Sequence, residues 1–179
     1  MIKFGTGGWR AIIGEEFTKS NVRILAQAVA DLMIAENVQD SEFVIGYDRR
    51  FLSDKAAKWM SEVLAGNGIK VIFIEKIAPT PLVMYTVREC AAKYGAAITA
   101  SHNPADYNGI KIFTEGGRDA TEKDTEKIEQ FIQRVEAQSI RSIEFTEAVE
   151  QGLILLSDPF NAYIDTIISM IDIDAIRKR

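Results

Sequence analysis

A strand, a helix and a second strand follow one another within residues 43–74, FVIGYDRRFLSDKAAKWMSEVLAGNGIKVIFI. The apolar run Phe43–Tyr47 has the length of a buried strand, and residues 69–74 have the same character. Between them, apolar side chains recur at three- and four-residue intervals behind a Ser53 N-cap, which predicts a helix to about residue 67. Two strands joined through a helix pair in parallel, because the helix is the crossover that parallel pairing requires.

The same alternation extends outward along the chain in both directions. Helical periodicity predicts three more helices, over residues 18–36, 80–93 and 121–135, with Gly95 ending the second of these. Short apolar runs at residues 96–100 and 110–113 predict further strands. Strands that alternate with helices favour a sheet that is covered on both faces. We therefore predict an α/β fold, a three-layer α/β/α domain with a mainly parallel (mixed) sheet.

The composition is that of an ordinary soluble globular domain. The chain has 179 residues, 21 Lys and Arg against 26 Asp and Glu, a net charge of −5 and 47% hydrophobic residues. One cysteine and one histidine exclude an intramolecular disulfide and a conventional zinc site. The mild acidity argues against nucleic-acid binding, which needs a basic face. The sequence contains neither a membrane-length apolar run nor the apolar block of a signal peptide, so we expect a cytoplasmic protein without a membrane partner.

The densest group of chemically useful side chains follows the third predicted strand. Ser101 offers a hydroxyl nucleophile, His102 a proton carrier and Lys111 a cation for an anionic group. Open α/β sheets bind their ligands at the carboxyl ends of strands, which is where this loop lies. The residue types also fit a plain turn, in which Asn103 and Asn108 hydrogen-bond their own backbone.

A serine hydrolase is a poor match for the same loop. Neighbours in an extended segment point to opposite sides, so we expect His102 to be badly placed to deprotonate Ser101. The sequence has no second histidine, and no Gly-x-Ser-x-Gly elbow surrounds Ser101. These observations argue against a Ser-His-Asp hydrolase.

Two further segments have residue types that bind anions. Residues 4–10, FGTGGWR, combine three glycines with Arg10, whose guanidinium can hold a phosphate bidentately. The alternative for this segment is a flexible N-terminal arm. Residues 46–50, GYDRR, end the first predicted strand on the same rim as Ser101, where Asp48 favours a structural ion-pair role and the arginines offer an anion-binding edge.

Together these segments resemble the α-D-phosphohexomutase superfamily, the phosphoglucomutase and phosphomannomutase enzymes. Residues 99–104, TASHNP, with NGIK at residues 108–111, are similar to the active-site serine loop of that family. FGTGGWR at residues 4–10 is similar to its N-terminal FGTxGxR motif, and APTP at residues 78–81 to its PTP turn. The three motifs stand in the family's order, and the resemblance covers nearly the whole chain as the first of four domains.

The resemblance implies an enzyme that interconverts hexose 1-phosphate and hexose 6-phosphate through a phosphoserine and a bisphosphorylated sugar, with glucose or mannose phosphates as partners. Ser101 would carry the phosphoryl group and contact a Mg²⁺ ion through it, which would spread the charge of the transition state. The other catalytic residues that the resemblance implies are His102, Lys111 and Arg10. The implied substrate and phosphate contacts are Thr6, Gly7, Arg49, Asn103 and Asn108.

Three loops of that family do not occur in this sequence: the metal loop of the type DGDxDR, the sugar-selecting loop and the C-terminal phosphate loop. We therefore expect residues 1–140 to form the domain that carries the phosphoserine. Residues 141–179 would be a linker and a helix, over residues 158–173, that lead into a missing second domain. The fragment alone would be inactive, and its exposed C-terminal helix makes self-association an expectation. The alternative is a non-catalytic module that binds sugar phosphates or a partner protein.

Overall fold

The computed structural model describes residues 2–5, 8–172 and 176–177, and a mixed β-sheet forms its centre. Within those ranges the strands are β1 (Gly8–Ile12), β2 (Phe43–Tyr47), β3 (Val71–Ile74), β4 (Tyr94–Ile98), β5 (Tyr107–Thr114), β6 (Arg118–Asp119) and β7 (Ile154–Ser157). The helices described are α1 (Lys19–Ala35), α2 (Ser53–Gly66), α3 (Thr80–Glu89), α4 (Glu122–Ile132), α5 (Phe145–Glu150) and α6 (Phe160–Ser169), with a short 3₁₀ turn at Ala137–Ser139.

The strand order is β1-β5-β4-β2-β3-β7, with β6 paired on the end of β5. β4, β2, β3 and β7 run parallel to one another, whereas β5 is antiparallel to both of its neighbours, β4 and β1. α2 and α3 make the crossovers that the parallel pairing requires. The prediction of a three-layer α/β/α fold with a mainly parallel, mixed sheet is confirmed.

Helices cover both faces of the sheet. α1, α2 and α4 bury their apolar sides in the larger core on one face, and α3 packs into a smaller core on the other. β2 serves both cores by alternation, with Phe43 and Ile45 in the first and Val44 in the second. Of the helices in the described ranges, none is long and apolar enough to cross a membrane.

Two glycines let α3 lie close to the sheet. A β-carbon on Gly46 of β2 would collide with Val83 of α3, and one on Gly95 of β4 would collide with Val87. The prediction that Gly95 ends a helix is therefore wrong, because the residue lies in a strand and leaves room for the helix that crosses it. α3 ends at Glu89, and its first turn is held near the carboxyl ends of the strands.

The N-terminal segment is a strand rather than a flexible arm. β1 pairs antiparallel with β5 over its whole length. Trp9 is only 1% exposed and stacks on Phe17, with 5.5 Å between the ring centroids. The alternative of a flexible arm is wrong for residues 8–12, because this pairing joins distant parts of the chain and leaves no local periodicity that could reveal it.

Residues 136–157 have a mixed sequence pattern, in which only residues 153–156 fit a short strand; in the structure that strand is β7, and residues 141–157 continue the same fold. β7 pairs in parallel with β3 and α5 packs beside α2, so the sheet does not break at residue 140. α6 has a partner as well: Tyr163 lies 5.4 Å from Tyr85 of α3 between ring centroids, and the Thr166 hydroxyl donates to the Tyr85 hydroxyl at 3.2 Å. α6 itself ends at Ser169, whereas the sequence pattern predicts helix to residue 173, which lies outside the described residues.

Replacing Trp9 by alanine tests whether β1 is part of the core. We expect Trp9→Ala to lower the free energy of unfolding by about 3–5 kcal/mol, because it removes a buried aromatic side chain and leaves a cavity. Phe51→Ala is the control: that ring is 71% exposed, and its loss should cost about 0.5 kcal/mol or less. Urea denaturation followed by circular dichroism measures both, and equally small effects would contradict the placement of β1.

Candidate active site

Two strand ends meet at one rim of the sheet. Asp48 follows β2 and Thr99 follows β4, and the Asp48 N–H donates to the Ile98 carbonyl at 3.1 Å. The serine loop, residues 99–106, thus begins where two adjacent parallel strands end, which is the usual ligand position in an open α/β sheet. The loop returns directly into β5, antiparallel to β4.

Ser101 has an unusual backbone conformation. Its φ of 55° lies in the left-handed region, which non-glycine residues rarely adopt. Its N–H donates to the Thr99 hydroxyl at 3.0 Å, and the Asn103 N–H donates to the Ala100 carbonyl at 3.0 Å. Strain of this kind persists only where the surroundings impose it, and it clusters at functional sites. The Ser101 side chain is exposed, so its hydroxyl is accessible to a ligand.

The imidazole of His102 lies beside the Ser101 hydroxyl. His102 Nδ1 and Ser101 Oγ are 3.4 Å apart, near the outer limit of a hydrogen bond. The prediction that these two side chains point to opposite sides is therefore wrong, because it assumed an extended backbone and Ser101 is left-handed. His102 is also exposed, so its ring is accessible to a bound molecule.

A cavity of about 190 Å³ brings together three of the sequence-predicted residues, Arg10, Ser101 and Lys111. Thr80 and Thr99 add two further residues with hydroxyl groups to its lining. Two cations and a nucleophilic hydroxyl around one small cavity suit an anion such as a phosphoryl group. Thr80 is not among the sequence candidates, because its place in the lining depends on where α3 meets the sheet.

The pairing of β1 with β5 brings the two cations to this cavity. Arg10 lies opposite Gly109, and Lys111 follows two residues later on β5, so the two charged side chains leave the same face of the ladder. A β-carbon on Gly109 would collide with the Trp9 carbonyl and would lie 2.9 Å from the Thr99 carbonyl oxygen. Glycine at this position therefore permits the close approach of the two strands that the site requires.

Lys111 has a carboxylate partner at the edge of the cavity. Its Nζ lies 2.9 Å from Oδ1 of Asp119 in β6, and 24% of the lysine side chain is exposed. An ion pair this accessible to water is weak, so an incoming phosphoryl group can compete with Asp119 for the ammonium. The lysine is thus held beside the cavity without being withdrawn from it.

Asn108 does not act as a ligand contact in this arrangement. Its side chain is buried, and its Nδ2 donates to the Phe51 carbonyl and the Ser53 hydroxyl, each at 2.9 Å. Its Oδ1 accepts the Gly109 N–H at 2.7 Å. Because all these partners are protein groups, the geometry gives Asn108 a structural role, and the expectation of a substrate contact is corrected.

Arg49 and Asn103 are not brought into the cavity with Ser101. They line a separate open groove of about 560 Å³, beside the exposed ring of Phe51. Thr6 and Gly7, the remaining expected phosphate contacts, lie outside the described residues.

Arg50, which the sequence analysis did not single out, reaches the serine loop where Arg49 does not. Its guanidinium donates to the Ser101 carbonyl at 2.8 Å, and 16% of its side chain is exposed. The sequence signal is weak, because either of two adjacent arginines after a strand can turn toward the rim.

Among the described residues, side chains that could bind a metal ion do not cluster at this rim. In the part of the chain that the structure describes, no group of three or more His, Cys, Asp or Glu side chains is arranged to hold one. Mg²⁺ is usually bound through one or two carboxylates together with phosphate oxygens. The described side chains therefore do not fit a Mg²⁺ site by themselves, and a phosphoryl group on Ser101 is the ligand that this loop would contribute.

Known proteins of one family resemble this chain in sequence. A family model described as phosphoglucomutase/phosphomannomutase, alpha/beta/alpha domain I, matches residues 1–139. A phosphoglucomutase from Staphylococcus saprophyticus is 37% identical over 158 residues, which cover 86% of this chain and 28% of that protein. A phosphoglucosamine mutase from Alkaliphilus metalliredigens is 38% identical over 129 residues, which cover 72% of this chain and 28% of that protein.

A solved structure from Thermus thermophilus, described as a phosphomannomutase, has the same fold. It superposes with a TM-score of 0.83 at 31% identity, over 97% of this chain and 37% of that one. The chain thus spans between 28% and 37% of the length of these three proteins. Since the family model matches residues 1–139, well over half of its length, the chain belongs to the phosphoglucomutase/phosphomannomutase family as its alpha/beta/alpha domain I.

Proposed function

We propose that this chain is the serine-bearing domain of a phosphohexomutase, which interconverts hexose 1-phosphate and hexose 6-phosphate through a phosphoserine and a bisphosphorylated sugar. One observation carries the proposal. The exposed hydroxyl of Ser101, on a left-handed residue at a strand end, shares a cavity of about 190 Å³ with Arg10 and Lys111. In the proposed enzyme residues 1–140 supply this site, residues 141–157 complete its sheet, and the chain after β7 leads toward further domains.

The two cations provide the charge balance that phosphoryl transfer needs. A phosphoserine carries roughly −1.5 to −2 charges, which repel a second anionic sugar phosphate. Arg10 and Lys111 line the same cavity as Ser101, where they can neutralise the equatorial oxygens of the phosphoryl group. Arg10 can do so bidentately, whereas Lys111 acts as a point charge once a phosphoryl oxygen replaces Asp119.

The proposed transfer moves one phosphoryl group between two oxygens. A sugar hydroxyl attacks phosphorus in line with Ser101 Oγ, the bond between phosphorus and Oγ breaks, and Oγ takes up a proton. His102 is the candidate for proton transfer in this step, since its ring lies beside Ser101 Oγ and can supply the proton that Oγ takes up, while the attacking hydroxyl releases its own proton to solvent. The bisphosphorylated sugar then reorients, and its other phosphoryl group returns to Ser101 by the reverse of these steps.

The substrate of the proposed enzyme is a hexose phosphate. The similar proteins carry the names of glucose, mannose and glucosamine phosphate mutases, so all three sugars should be tried. Arg49 and Asn103, in the neighbouring groove, are candidate contacts for the part of a sugar that extends beyond the cavity. Mg²⁺ and a cytoplasmic location remain predictions; the ion, when bound, would supply a Lewis acid at the phosphoryl oxygens.

Ser101→Ala in the full-length enzyme tests the carrier. We expect mutase turnover to fall by at least about 10³-fold, because the proposed phosphoryl acceptor is removed, while the exposed position keeps the stability change within about 0.5 kcal/mol. Ser20→Ala, on the exposed side of α1, is the matched control and should retain full turnover. A coupled assay with each hexose 1-phosphate, a bisphosphate primer and Mg²⁺ measures both. Near-normal turnover in the Ser101 variant would refute the assignment.

Lys111→Gln tests charge stabilisation separately from the carrier. We expect turnover to fall by about 10²–10³-fold, because one cation that faces the transition-state charge is lost while Ser101 remains. Lys55→Gln, an exposed position on α2, should leave turnover unchanged. The kinetic constants of the two variants in the same assay make the comparison, and equal turnover would show that Lys111 has no role in the chemistry.

The isolated chain, residues 1–179, should fold without catalysing turnover. Folding follows from two cores on one sheet, whereas phosphoryl transfer depends on positioning that the absent loops would supply.

We also propose that the isolated chain self-associates at high concentration through the apolar surface of α6 and β7. Thermal unfolding, the coupled assay and sedimentation velocity test these points, and turnover comparable to an intact enzyme would contradict them. The exposed apolar residues concerned are Leu155, Leu156, Phe160, Ile164 and Ile168.

A further inference from the structure

The side chain of Arg50 holds most of the serine loop through hydrogen bonds to backbone carbonyls. The guanidinium of Arg50 donates through Nη2 to the carbonyls of Ser101, at 2.8 Å, and Asn103, at 2.6 Å. Through Nη1 it donates to the carbonyls of Pro104, at 2.7 Å, and Tyr107, at 3.1 Å. Four carbonyls within residues 101–107 therefore accept hydrogen bonds from one guanidinium, which belongs to the segment after β2.

The position of Arg50 is itself fixed by Asp48. One carboxylate oxygen of Asp48 accepts the backbone N–H of Arg50 at 2.9 Å and the Ser53 hydroxyl at 2.8 Å. The other oxygen lies 3.6 Å from Arg50 Nε. The Ser53 hydroxyl in turn accepts a hydrogen bond from Asn108 at 2.9 Å, so the end of β2, the start of α2 and the start of β5 are joined beneath the loop.

Arginine is suited to this task in a way that lysine is not. Its guanidinium is planar, always charged and carries several N–H donors in a fixed fork, whereas an ammonium is a compact point charge on a flexible stem. A lysine at this position keeps the charge, but its ammonium cannot donate at the same time to all four carbonyls that the guanidinium reaches. The left-handed φ of Ser101 needs such support, because an unsupported loop would relax it.

We infer that Arg50 is a positioning residue, which holds the serine loop so that the Ser101 hydroxyl stays in the cavity beside Arg10 and Lys111. The expected loss of turnover rests on the proposed function. The expected effect on the loop rests on the hydrogen bonds alone. Arg50 acts through the loop backbone, and its donors are occupied by carbonyls rather than by a ligand.

The test compares Arg50→Lys with Arg134→Lys, the same change at an exposed arginine near the end of α4. In the isolated chain, hydrogen exchange at the amides of Asn103 and Tyr107 should become at least about 10-fold faster in Arg50→Lys, with the amides of β4 unchanged. In the full-length enzyme, kcat should fall by about 10²-fold while KM changes by less than about 3-fold, because the loop and not the sugar site is disturbed. Arg134→Lys should alter neither quantity.

Each other outcome is decisive. Loop amides that exchange as in the unaltered chain would overturn the inference, and so would a loosened loop with an unchanged kcat. If Arg50→Lys does not fold, Asp48→Ala, which keeps the guanidinium but removes both oxygens that fix its position, must accelerate the same amides, or the inference fails. If the unaltered enzyme shows no turnover and no phosphate on Ser101, the proposed function fails, while the exchange result still decides whether Arg50 holds the loop.

Discussion

The close pairing of β5 with β4 on one side and β1 on the other is the constraint on which the site depends. It brings Arg10, from the start of the chain, to the same face of the ladder as Lys111. The approach is so close at Gly109 that any side chain there would collide with the neighbouring backbone. Without β1, the loop that carries Ser101 would still stand at a strand end, but it would face one cation instead of two.

A second close approach sets the other wall of the cavity. α3 crosses the sheet over Gly46 and Gly95, and this brings Thr80, the first residue of the helix, to the lining that contains Ser101. Gly95, which the sequence pattern assigns to the end of a helix, thus serves the packing of α3 on the sheet instead. The absence of a β-carbon permits close packing in both places. It lets strands approach at Gly109, and it lets α3 approach the sheet at Gly46 and Gly95.

Local chemistry in the sequence predicts the layered fold and the position of the serine loop, because strand–helix–strand crossovers force parallel pairing and parallel strands end on one rim. It misses β1 and the pairing of β7 with β3, because the paired segments are distant in the chain. The contact of Ser101 with His102 depends on one backbone angle, which residue types do not reveal. The same limit explains why the sequence does not tell Arg50 from Arg49, since adjacent identical residues differ only in the direction of their side chains.

The central claim is that Ser101 carries a phosphoryl group between two positions of one sugar. The most direct measurement incubates the full-length enzyme with a hexose 1,6-bisphosphate labelled in its phosphoryl groups, then locates the label by peptide mass spectrometry. The account predicts label on the peptide that contains Ser101, up to one group per chain, and its release as labelled bisphosphate when unlabelled hexose 1-phosphate is added. Turnover without label on Ser101, or label that hexose phosphate cannot remove, would contradict it.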